Sequence, residues 1–170
     1  FSGAPSAPPT AYKGVAATIP GVIEAEHFDD GGARKASSDE ESENQGDATM
    51  RATEGVDLVT IPEGTAVGYT VAGEWLEYTV NVTGTTDKSF TARVASGSET
   101  SSFMLFLDDV AISDTIKIPA GADWDTYTEV TGQLNSLTEG EHVLKILITG
   151  SYVNIDWIAL GLKPTGFSNP

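Results

Sequence analysis

The run Trp75–Val82 alternates without a break. Leu76, Tyr78, Val80 and Val82 share one face, and Trp75, Glu77, Thr79 and Asn81 share the other. Successive side chains of a strand point to opposite faces, so this run predicts a half-buried strand. Helical periodicity is almost absent from the rest of the chain. Further strands are expected at Gly21–Glu26, Thr65–Val71, Lys88–Ala95, Phe103–Leu107, Thr115–Ile118, Tyr127–Leu134, Glu141–Ile148 and Val153–Leu160. Turn chemistry separates them at Gly84–Asp87, Gly97–Ser101, Pro119–Asp123 and Thr138–Gly140. Many short strands at this spacing predict an all-β fold, an antiparallel β-sandwich or jelly roll.

A chain of 170 residues suits one domain with loose ends. Residues 1–16 and 163–170 have the Pro, Gly and Ser content of linkers, which places the sandwich at 17–162. Residues 29–55 carry little apolar content and are expected to form a long loop. The acidic stretch Asp39–Asp47 does not match a helix-loop-helix calcium loop. Asn44 stands where the turn glycine belongs, and Met50 stands where the closing glutamate belongs. The formal net charge is -16, which disfavours nucleic acid and anionic membrane as partners. No apolar run reaches the length of a membrane-spanning helix. With no cysteine, thiolate catalysis and disulfide frameworks are excluded.

Two features carry chemistry. Glu24 and Glu26 stand two apart on an expected strand, and Asp156 lies on another. First and last strands of a sandwich are often neighbours, so the three carboxylates could share a hard cation. Solvated surface acids are the plain alternative. Trp75 lies opposite the core face, where it is either covered by a loop or offered to a ligand. Tyr69, beside Gly68, and Trp124, in or after a turn, pose the same choice between packing and binding. An offered indole or phenol suits the apolar C–H face of a pyranose. Burying roughly 100 Å² there at about 25 cal/mol per Å² contributes roughly 2.5 kcal/mol. For catalysis, Glu74 and Glu77 are the acid pair to consider, since a glycosidase needs two carboxylates across a cleft. His27 and His142 have no nucleophile signature beside them.

These residues also form an ordered set. It comprises Val22–Phe28, Ala66–Thr70 with Gly73–Tyr78, Phe90–Ala95, Trp124–Tyr127, Gly140–His142 and Asn154–Ile158. In this order, over roughly residues 20–162, the chain resembles the family 6 carbohydrate-binding modules. The resemblance implies a jelly roll that binds a β-linked polysaccharide: xylan, a β-glucan or an algal galactan such as agar. It implies a catalytic domain in the same chain, a glycoside hydrolase or another polysaccharide-degrading enzyme that the module targets to its substrate. A secreted, extracellular monomer is expected. The resemblance further implies a structural calcium, with Glu24, Glu26 and Asp156 at the ligand positions. It places a sugar at the loop end of the sandwich between Tyr69 and Trp124, hydrogen-bonded by Asn154, and a secondary site on a sheet face at Trp75. Segment 37–55 is longer than in many members, and could wall one side of the principal site. The competing expectations are a small jelly-roll glycosidase or polysaccharide lyase, and a spacer that binds nothing.

Overall fold

The computed structural model describes residues 11–29, 37–38, 58–61, 64–68, 70–83, 88–118 and 126–161. Among these, thirteen strands form two sheets. The first sheet runs β1 (Ala17–Ile19), β6 (Trp75–Val82), β12 (Gly140–Gly150), β8 (Ser102–Leu107), β10 (Ile116–Lys117). Two short strands add to it, β3 (Ser37–Ser38) on β6 and β9 (Val110–Ala111) on β8. The second sheet runs β11 (Thr128–Gln133), β7 (Ser89–Ala95), β13 (Asn154–Leu160), β5 (Gly64–Val67), β4 (Leu58–Ile61), with β2 (Gly21–Glu24) also paired to β13. Pairing is antiparallel throughout, except that β1 joins β6 in parallel.

The alternation of β6 has the expected consequence. Leu76, Tyr78, Val80 and Val82 are buried, while Trp75, Glu77 and Thr79 are half-buried on the outer face. Leu144, Ile146 and Ile148 of β12 and Phe103 and Leu105 of β8 extend the inner face of this sheet. Phe90, Ala92 and Val94 of β7, with Ile155, Ile158 and Leu160 of β13, face them from the second sheet. The Tyr78 hydroxyl reaches across and donates to the Ala25 carbonyl at 2.7 Å. A buried tyrosine needs such a partner, and this one pins the Glu24–Glu26 segment to the opposite sheet. The chain passes between sheets at Ile19–Gly21. A Cβ on Gly21 would lie 2.4 Å from the Thr18 carbonyl oxygen, so only glycine fits that corner.

Every expected strand is present; Trp75–Val82 keeps its ends and the others shift theirs. The first stops at Glu24 rather than Glu26, because Ala25–His27 turns into a 3-10 helix with Ala25 and Glu26 buried. The strand expected to run to Val71 ends at Val67, and Thr70 spends its side chain on Val153 instead. Residues 29–55 are not wholly a loop. Ser37 and Ser38 pair with Leu76 and Trp75 as strand β3. Between β3 and β1, Asp29 completes the same edge of β6: its N–H donates to the Glu77 carbonyl, and its carboxylate accepts from the Thr79 N–H and hydroxyl. Strand β4, a short apolar run folded back on β5, was not expected. Residues 11–16 include a 3-10 turn whose Tyr12 ring stacks on His27 at 4.6 Å.

Candidate functional site

One end of the second sheet gathers the loops of interest. Asn154 opens β13 and pairs with Ala95 at the end of β7. Thr128 opens β11 and pairs with Val94. Val67 ends β5 and pairs with Ile155. Chain therefore enters or leaves the sheet at this one end after residue 67, after residue 95, before residue 128 and before residue 154. Tyr69 and Trp124 lie outside the described residues. Their described flanks, Gly68 and Thr70 on one side and Thr126 and Tyr127 on the other, sit at these strand ends. Asn154 itself is buried, 8% exposed, at the base of the loops.

Hydroxyls hold these loops together. Thr70 Oγ1 donates to the Val153 carbonyl at 2.9 Å and accepts from the Val153 N–H at 2.8 Å. The Tyr152 N–H donates to the Thr70 carbonyl at 2.7 Å. Ser101 Oγ lies 2.8 and 3.1 Å from the carbonyl oxygens of Ser151 and Tyr152. Each such buried or half-buried bond contributes about 0.5–1.5 kcal/mol, and the set makes the base of the loop end rigid.

The three acids lie near enough to feel one another's charge. Along β13, β2 occupies the edge opposite residues 157–160 and β5 takes over at Ile155. At this handover the chain of β2 turns off through Ala25–His27. Asp156 is the extra residue of a β-bulge there, since Ile155 pairs with Val94 and Trp157 with the next residue, Arg93. The bulge lets Ile155 and Ile158 both face the core. Burial, and then the Asp156 charge, raise the Glu24 pKa. Burial foremost, with the charges of Glu24 and Asp156 adding, pushes Glu26 up to about 7. Oε1 of Glu26 is buried and accepts no hydrogen bond. Carboxylates that raise one another in this way form the donor set a hard divalent cation takes, so residue type and charge fit calcium. The side chains are not already gathered round a point. Among the described residues no group of three or more acids, histidines or cysteines is arranged to hold an ion as it stands. Asp156 instead contacts Arg93, with Nη1 donating to Oδ2 at 2.6 Å, and the Arg93 guanidinium lies 4.9 Å over the Tyr127 ring. Arg93 and Tyr127 were not among the expected site residues. Pairing between neighbouring strands brings them in, and no local motif marks it.

Trp75 stands apart, on the outer face of the first sheet. Its cross-strand neighbour is Leu147, which in turn pairs with Met104. The Lys145 ammonium sits 5.1 Å over the indole, and also 3.7 Å from Glu77 and 2.8 Å from Asp109. The ring is thus half-covered by a cation held from two sides. Burial raises the Glu77 pKa and Lys145 opposes it. Glu74 is 5% exposed, and its carboxylate accepts the Val71 N–H of its own turn at 2.7 Å. Glu74 precedes the strand on the core side and Glu77 faces outward beside lysine, so the two do not form a pair across a cleft.

Two packed sheets with a hydroxyl-braced loop end place the chain among small β-sandwich modules. Solved structures of this class match closely in shape. A family 6 module of Clostridium stercorarium, solved with cellobiose, is 24% identical with a TM-score of 0.66, over 86% of this chain and 97% of that one. The module of Cellvibrio mixtus lichenase 5A, solved with cellotriose, is 25% identical with a TM-score of 0.63, over 85% and 98%. A β-1,3-glucan-binding module of Bacillus halodurans is 17% identical with a TM-score of 0.66, over 86% and 98%. The sequence profile of the carbohydrate binding module family 6 matches residues 47–161, and the chain belongs to that family.

Proposed function

We propose that this module binds a β-linked polysaccharide, a glucan or xylan, at the loop end of its second sheet and performs no chemistry on it. The observation that carries the reading is the convergence at one sheet end of Asn154 and the chain flanking Tyr69 and Trp124. Two aromatic faces and one buried amide suit a neutral sugar ring: the rings take its C–H faces and the amide takes its hydroxyls. The relatives solved with cellobiose and cellotriose, and the β-1,3-glucan binder, support a β-glucan among the candidates. A second, weaker contact surface is the outer face at Trp75. There a sugar would displace Lys145 from the indole.

In the same reading Glu24, Glu26 and Asp156 hold a calcium ion that supplies positive charge at the handover between β2 and β5. Its part is structural: it ties the end of β2 and the turn after it to β13. The module acts outside the cell, next to a catalytic domain in one chain, and raises the local concentration of that enzyme on its glycan. Titration calorimetry with xylo-, cello-, laminari-, mixed-linkage gluco- and agaro-oligosaccharides tests the binding. Heat with one or more β-linked series is expected, and no heat with any of them removes the reading.

A further inference from the structure

Tyr152 is the one aromatic among the exposed large apolar side chains of the described residues, 53% exposed. Its backbone φ is 74°, a left-handed value that costs a residue with a Cβ about 1–2 kcal/mol. Glycine or asparagine would sit there with less strain. The neighbours leave the backbone no alternative. The Tyr152 N–H is held by the Thr70 carbonyl and its own carbonyl lies beside Ser101 Oγ. On one side, Ser151 Oγ accepts the Ala72 N–H at 2.9 Å; on the other, Val153 is bracketed by Thr70. Gly150 is pressed so close to the 96–101 loop that a Cβ would stand 1.8 Å from the Thr100 carbonyl oxygen. The segment 150–153 is therefore wedged between two loops, and it projects one ring outward.

Neither the strain nor the exposed ring serves the core. Strained residues of this kind collect at binding loops, where the cost is met by the surrounding contacts. Only Val153 separates Tyr152 from Asn154, a span of no more than about 7 Å. The ring thus belongs to the loop end already described. We infer that Tyr152 is an additional stacking platform, which takes a second pyranose of the same glycan next to the one held at Asn154. The inference rests on the loop-end reading above. It narrows the ligand to a chain of two or more β-linked sugars, with affinity that rises from mono- to oligosaccharide.

Tyr152→Gly is the informative variant, because it removes the ring and relieves the φ together. Calorimetry would use the tetrasaccharide that gives the largest heat in the panel, and the matching monosaccharide. The expected result is affinity for the tetrasaccharide reduced about tenfold, unchanged affinity for the monosaccharide, and a melting temperature equal to or above wild type. Tyr152→Phe should bind like wild type. Equal affinity of Tyr152→Gly and wild type for the tetrasaccharide overturns the inference. So does a parallel loss for both sugars with a lowered melting temperature, which marks a structural role. Failure of the loop-end reading looks different: wild type then gives no heat at all, or Asn154→Ala binds as wild type does.

Discussion

Replacing Glu26 by glutamine should reverse its effect on stability when calcium is added. Without the ion, Glu26 is a buried carboxylate beside Glu24 and Asp156, with a pKa of about 7 against the usual 4.5. A raised pKa means that the folded state holds the proton more tightly than the unfolded chain. The calcium-free module therefore gains stability as pH falls from about 7 toward 4.5, and carries the full penalty above about 7. That interval, at about 1.4 kcal/mol per pH unit, sets a ceiling of about 3 kcal/mol; solvent screening brings it to about 1–2 kcal/mol. Glutamine keeps the shape and removes the charge. At pH 8 in chelator, Glu26→Gln should melt higher than wild type by roughly 2–8 °C for a domain of this size. With calcium at about 100 times its dissociation constant, wild type gains about 2.7 kcal/mol and the variant, short of one ligand, gains much less. Wild type should then melt higher. Thermal melts of both proteins, with chelator and with calcium, are sufficient. A variant that melts lower in chelator, yet keeps the full calcium shift, would refute both the electrostatic argument and the ligand assignment.

Two further outcomes follow from the same geometry. His142 Nδ1 lies 2.6 Å from Asp108 Oδ2 and Nε2 lies 2.9 Å from the Thr138 carbonyl, so both nitrogens face acceptors and the hydrogen bond to Asp108 raises the histidine pKa. Its contribution is complete below the unfolded pKa of 6.5 and is lost as pH rises through the higher folded value; His142→Gln should flatten the melting temperature across that window. Thr70→Val removes both bonds to Val153 and leaves a buried N–H unpaired. It should cost about 1–3 kcal/mol in denaturant unfolding and weaken glycan binding, while Thr70→Ser retains both.

What could be read ahead of the structure divides along local and non-local lines. Strand β6 was legible because its alternation is written in eight consecutive residues. Strands β7, β8, β12 and β13 were legible for the same reason, since each carries its own apolar face. The end of β2 was misjudged because Ala25 is drawn into the core by Tyr78, 53 residues away. Strand β3 is two serines whose only reason to be extended is the edge of β6. At the site, residue types named Glu24, Glu26 and Asp156, but the bulge at Asp156 and its contact with Arg93 depend on the register between β7 and β13. Tyr152 escaped notice because nothing in Gly150–Asn154 marks a left-handed tyrosine; the Thr70 and Ser101 contacts that impose it are remote in sequence. Glycine or asparagine is the usual mark of that conformation, and position 152 carries neither.

The most direct test of binding at the loop end is to follow backbone amide shifts of the isotope-labelled module as its best-binding oligosaccharide is added. The largest changes are expected at Thr70, Thr126, Ser151, Tyr152 and Asn154, with smaller changes at Thr79, Val143 and Lys145 on the outer face of the first sheet. Changes concentrated on that outer face, with the loop end silent at saturation, would contradict it.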